Sequence, residues 1–293
     1  MLYRERCYWK EGICVLEFEF MRHAFAGCAL VSVIAGPVGW FLMLRRQAFA
    51  AHALSHIGFS GAAGAVWLGF PPLAGMIAFS LAAGLAIGSE HEADRGAPVQ
   101  RDGTIGLVLA ASLGLGTWFL HMANGASSLA TTLLFGDVLG IGRNTLFSLL
   151  AVAVVCLSGL GVLCRPLLFS SLAPQVAQAK GVPVKIAALG FMAVCALACS
   201  ACAEVAGALL AFSLMIGPPA TALRLNLGPL AGVTVSTLLA LFLSWGGLIL
   251  SWETDAPVPL WIGLGAALLY GGAGLWVRFR NLSVRTTSSI RAQ

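Results

Sequence analysis

Charge is what this sequence has least of. Of its 293 residues only 10% are Asp, Glu, Lys or Arg, while 59% are hydrophobic. Soluble domains carry about 25% charged residues, so a water-soluble globule is excluded. No G-x-x-x-x-G-K-[ST] phosphate loop occurs, which rules out ATP binding by that device and leaves no reason to read the chain as an enzyme. The one C-x-x-C pair, Cys199 and Cys202, has no second pair to complete a structural zinc site. Most of the eight cysteines, among them Cys28, Cys156, Cys195, Cys199 and Cys202, lie in apolar runs. There they behave as small hydrophobes. The net charge of +5 comes from loop arginines and implies no nucleic-acid partner. Residues 1–20 have no clean apolar core, being interrupted by Glu5, Glu11, Glu17 and Glu19. They read as a flank on the membrane surface and not as a signal peptide.

What is present is a succession of apolar segments. Nine candidate spans of 17 to 22 residues can be read, at about 24–44, 53–69, 72–88, 104–122, 146–164, 186–202, 205–223, 229–250 and 260–277. Each approaches the roughly 20 residues a helix needs to cross a bilayer. The expected fold is an all-α, polytopic helical bundle of about eight or nine transmembrane helices. It forms a single membrane domain over 21–280, followed by a tail over 281–293. The 35 glycines suit close helix approach. Twelve of the seventeen basic residues fall in loops after odd-numbered spans, including Arg45, Arg46, Arg165, Lys180, Arg224 and Arg278. Positive charge favours the cytoplasmic side. The N-terminus is therefore expected outside and the C-terminus inside.

Two loops are longer than turns. The outer one, 124–143, has room for a surface or re-entrant helix before Phe135-Gly136-Asp137. The inner one, about 165–185, predicts a short stiff helix. Ser170 or Ser171 can cap it, Pro174 suits its first turn, and Gly181 with Pro183 ends it. Such a helix is either an ordinary amphipathic loop element or a surface on which a partner pushes.

The chemistry concentrates at Ala51-His52-Ala53-Leu54-Ser55-His56. Two histidines four apart share a helix face, and imidazole is the commonest donor to zinc. Ionisable groups inside membrane segments are usually functional. The alternative is a pair of histidines satisfied within the bundle. Glu204 is the sole charge between Lys185 and Arg224. It reads either as part of a tight outer turn or as an entrance carboxylate for a cation. Gly217-Pro218-Pro219 breaks the seventh span and reads as a kink or gate. His23 and His121 read as interfacial. The Glu90-His91-Glu92 run reads as a solvated loop.

These stretches resemble the permease subunits of ABC-type zinc, manganese and iron uptake systems. The likeness is carried by Met21-Arg22-His23-Ala24, Leu44-Arg45-Arg46-Gln47-Ala48-Phe49, and Ala53-Leu54-Ser55-His56 running on to Gly61. It continues through Leu134-Phe135-Gly136, the 165–184 segment, Val205-Ala206-Gly207-Ala208-Leu209-Leu210 and Pro218-Pro219-Ala220-Thr221-Ala222. The resemblance implies that the short inner helix docks on a cytoplasmic ATPase, with Ser171, Pro174, Gln175, Gln178, Lys180 and Gly181 in the coupling segment. It also implies that the 51–61 stretch meets the ion. The family pattern there is Gly-Asp-Ala-Leu-Ser-His, and this chain has Ala51 and His52 in place of Gly and Asp. An Asp/His pair mixes hard oxygen with nitrogen, whereas a His/His pair leans toward zinc.

The expected function is therefore a membrane permease subunit importing a divalent metal: zinc first, manganese or iron otherwise. It holds no permanent cofactor. Its implied partners are cytoplasmic ABC ATPase subunits, an extracytoplasmic metal-binding protein and a second permease copy, in the bacterial inner membrane. Two copies would offer four imidazoles, in an arrangement loose enough to release the ion. The competing readings are a secondary cation carrier or channel and an ABC importer of a metal chelate. The carrier would need buried carboxylates, of which Glu204 alone qualifies.

Overall fold

The computed structural model describes residues 18–93, 98–123 and 126–290. They form eleven helices: α1 (Glu19–Leu44), α2 (Ala48–Trp67), α3 (Pro72–Ala93), α4 (Pro98–Met122), α5 (Ala126–Phe135), α6 (Arg143–Leu172), α7 (Pro174–Ala179), α8 (Val184–Ala206), α9 (Ala208–Arg224), α10 (Pro229–Thr254) and α11 (Val258–Ile290). The described residues contain no strand. The surface flank expected over 1–20 lies almost wholly outside the described residues, and α1 starts at Glu19.

Seven of these helices are long and apolar enough to cross a membrane: α1, α3, α4, α6, α8, α10 and α11. The second and seventh expected spans are also helices, but α2 is not among the seven and α9, at 17 residues, is shorter. The reason is where they sit. In α2, 15 of 20 residues are buried, from Ala50 to Ala65 with only His52 partly open within that stretch. A helix wrapped by protein is free to carry Ser55, His56 and Ser60 in place of lipid-compatible side chains.

Glycines set the packing. Hydrophobic association is weak between helices in lipid, so close approach and packing take its place. Gly61 of α2 and Gly75 of α3 face each other so closely that a Cβ on either would fall on the other's carbonyl oxygen. Gly116 of α4 rests on Ser60 in the same manner, and Gly39 of α1 on the Met215 carbonyl of α9. Buried hydroxyls add polar ties, Ser80 donating to the Leu54 carbonyl at 3.0 Å and Ser32 meeting Ser244 at 2.9 Å. Arg45, after α1, donates to Ser170 of α6 at 3.2 Å and lies 5.6 Å from the Phe191 ring of α8.

Several expected boundaries move. The fifth span does not stop at 164: α6 runs through Pro166 to Leu172. Ser170 and Ser171 therefore cap nothing. They sit in the last turn of α6 and donate to the Leu167 carbonyl, at 3.2 and 2.6 Å. The break falls at Ala173, whose carbonyl accepts from Ala177 to start α7. Pro174 does open α7, and Gly181, with φ 71°, and Pro183 separate it from α8. The expected turn at Glu204 is also displaced. The α8 helix continues to Ala206, and the reversal falls on Gly207 alone, at φ 81° and ψ 158°. Only glycine populates that region readily. Within the tail expected over 281–293, α11 continues to Ile290.

Candidate metal path

The His52 and His56 pair stands on the second and third turns of α2. The helix begins at Ala48, five residues before the expected span, so both rings belong to it. Their centroids lie 4.7 Å apart, edge to face. His56 is buried at 9% exposure and His52 is half-buried. The Nδ1 atoms of both are buried and have no hydrogen-bond partner among the described residues. Buried polar atoms are usually hydrogen-bonded, so two unpartnered Nδ1 atoms side by side stand out. These rings keep nitrogen lone pairs or N–H groups uncommitted.

Depth follows from the neighbours. Phe212 of α9 sits edge-on to His52 at 4.9 Å, and Phe49 lies 6.5 Å away on the helix side. Cys199 of α8 donates to the Ala51 carbonyl at 3.5 Å and touches the Met215 sulfur, also at 3.5 Å. Cys199 and Met215 each lie eight positions from Gly207, where α8 turns into α9. The imidazoles are thus level with the middle of α9, well inside the bundle. Neither Cys199, Met215 nor Phe212 was legible as a neighbour, because α8 and α9 reach α2 only through the fold. Cys195 and Cys202 are fully buried free thiols, as their apolar setting implies.

Glu204 stands apart from the histidines. It is half-buried in the last turn of α8 and lines a cavity of about 170 Å³ with Asp137, Thr132, Thr145, Met76 and Pro72. Asp137 went unrecognised in the sequence. Its signal was its place directly after Leu134-Phe135-Gly136, and its Oδ1 accepts from the Gly140 N–H at 2.9 Å. The expected outer helix is α5, and the glycines at 136 and 207 bring its end against the α8–α9 turn.

The Gly217-Pro218-Pro219 break does not interrupt α9, which stays helical from 208 to 224. Pro218 and Pro219 remove the N–H donors that would meet the Leu214 and Met215 carbonyls, and one turn on the Thr221 hydroxyl donates to the Gly217 carbonyl at 2.8 Å. In the segment expected to couple to an ATPase, Gln175, Lys180 and Gly181 are exposed and Ser171 half-exposed. The Lys180 ammonium lies 5.9 Å from the Phe169 ring. The side chains of Pro174 and Gln178 lie outside the described residues, as do those of the Glu90-His91-Glu92 run. Among the described residues no group of three or more His, Cys, Asp or Glu is placed to hold a metal. One protomer offers two imidazoles.

Comparison with known proteins agrees with this architecture. Residues 17–273 match the model of a family described as the ABC 3 transport family. The manganese transport system membrane protein MntC of Halalkalibacterium halodurans is 30% identical over 212 residues, covering 72% of each chain. The high-affinity zinc uptake system membrane protein ZnuB of Buchnera aphidicola is 26% identical over 241 residues, 82% of this chain and 91% of that one. Among solved structures, PsaBC from Streptococcus pneumoniae in complex with Fab superposes with a TM-score of 0.80 at 25% identity. The match covers 90% of this chain and 94% of that chain.

Proposed function

The chain belongs to the ABC 3 transport family and is a multi-pass ABC-type permease subunit of a manganese or zinc importer, and from that premise we propose that zinc is the cargo its ion site suits best. The observation that carries the reading is the His52–His56 pair, with both Nδ1 atoms buried and uncommitted. Nitrogen donors match a borderline-soft ion. An Asp at position 52, as in the pattern this stretch resembles, would supply a hard oxygen suited to manganese. Relatives named for manganese and for zinc both match this chain, so the cargo has to be argued from the site.

Two donors do not strip a cation of its water. A second copy of the chain, related by a two-fold axis, would bring the count to four imidazoles. Four nitrogen donors are the tetrahedral number for zinc. The half-open His52 is the ring through which the two halves would meet. Glu204 and Asp137 sit near the end of the bundle opposite Arg45 and Arg224. They would draw a dication from an extracytoplasmic metal-binding protein. Positive charge marks the arginine end as cytoplasmic, in a bacterial inner membrane, and α7 lies there to engage separate ATPase subunits.

The test is metal-stimulated ATP hydrolysis and uptake in vesicles holding the permease, its ATPase and its binding protein, scanned over zinc, manganese and iron. Zinc should stimulate most. His52→Asp should shift the preference toward manganese. An unchanged metal order in that variant would remove the imidazole pair from the explanation.

A further inference from the structure

At the arginine-bearing end of the bundle lies a second cavity that the metal path does not use. It measures about 540 Å³, is open on one side, and is lined by Arg224, Gly271, Gly274, Leu275, Val277 and Arg278. We propose that it holds the phosphate of an anionic phospholipid. This goes beyond the import reading and does not depend on it.

Three observations carry the assignment. Among the described residues the only ionisable side chains in the lining are two arginines, and no carboxylate lines it with them. Arg224, the last residue of α9, is already held in place. Its guanidinium lies 3.8 Å from the Tyr270 ring, and one Nη1–H donates to the Tyr270 carbonyl at 3.2 Å. A guanidinium has five N–H donors in a planar fork, so most remain for a phosphate oxygen. Gly274 makes the room, since a Cβ there would fall on the Arg224 guanidinium.

The third observation selects lipid over a soluble anion. Gly271, Gly274, Leu275 and Arg278 are spaced i, i+3, i+4 and i+7 and so share one face of α11. On that helix Leu268, Leu275 and Trp276 are 74%, 59% and 66% exposed. The apolar surface leading away from the arginines suits acyl chains, and the exposed Trp276 suits the headgroup level. Basic pockets between transmembrane helices at the cytoplasmic side are recurrent anionic-lipid sites.

The experiment is native mass spectrometry of the detergent-purified complex, titrated with phosphatidylglycerol, phosphatidylcholine or inorganic phosphate. Retention of phosphatidylglycerol well above phosphatidylcholine is expected, with no protection by phosphate. Arg224→Gln with Arg278→Gln should weaken phosphatidylglycerol retention by about 30-fold, at roughly fivefold per arginine near a membrane surface. Arg278→Gln alone leaves the Arg224–Tyr270 stack intact, guards against misfolding of the double variant, and should show the single step. Equal retention of the two lipids, or unchanged retention in Arg278→Gln, overturns the proposal. Competition by inorganic phosphate at similar concentration would make this a soluble-anion site and overturn it equally.

Discussion

At the scale of single residues, the acidic pair at the outer cavity makes the sharper claim, because it separates capture from passage. Glu204 is not among the atoms at mid-helix, so its loss should leave the imidazole chemistry intact. Glu204→Gln in the complete transporter is expected to raise the metal concentration giving half-maximal uptake by about fivefold, the effect of about 1 kcal/mol of lost attraction. The maximal rate should change little. A fall in maximal rate without a shift in half-saturation would place the carboxylate in the passage itself. The two histidines were readable from four-residue spacing in apolar surroundings. That their Nδ1 atoms stay unbonded was not, because it depends on what α8 and α9 do not offer.

At the scale of helices, glycine contacts and the inner connection make separate claims. The Gly61–Gly75 crossing holds α2, and with it the imidazoles, against α3. A methyl at 61 would run into the Gly75 carbonyl and the Phe79 Cβ, so Gly61→Ala should cost about 1–3 kcal/mol of stability by overpacking. The thermal midpoint of the detergent-solubilised complex measures it, and an unchanged midpoint would mean the crossing has slack. Just past the six-residue α7 the exposed Lys180 is the accessible charge. Lys180→Glu should lower metal-stimulated ATP hydrolysis several-fold while leaving metal binding to the permease unaltered. Isothermal titration beside an ATPase assay separates the two. Helix existence was largely legible, since all nine apolar runs became helices. Their ends were not. The sequence could not reveal that α6 carries Pro166 within it and outlasts Ser170 and Ser171, because burial of Leu167 and Ser170 holds that turn. Nor could it reveal that α2 gains its first turn from packing, where no side chain caps it.

At the scale of the whole molecule, the proposed site is shared between copies, and that is testable without knowing the interface. In a complex joining one intact permease to one His56→Ala copy, a shared site predicts near-complete loss of uptake, of at least about 100-fold, since even indirect ligand support is worth about 10–100-fold. Two independent paths would leave about half the rate, by simple halving of identical units. Tandem fusion of the two copies fixes the ratio, and uptake of radioactive zinc reads the outcome.

Gly207 ties these scales together. One residue, in a backbone region closed to other side chains, makes the entire reversal from α8 to α9, and it is pressed against the backbone at Leu134 and Gly136. A hinge with no spare length cannot absorb a tilt of α9 by itself. A tilt of α9 about so short a joint would therefore pull on the end of α5, which couples the helix facing His52 to the wall beside Glu204.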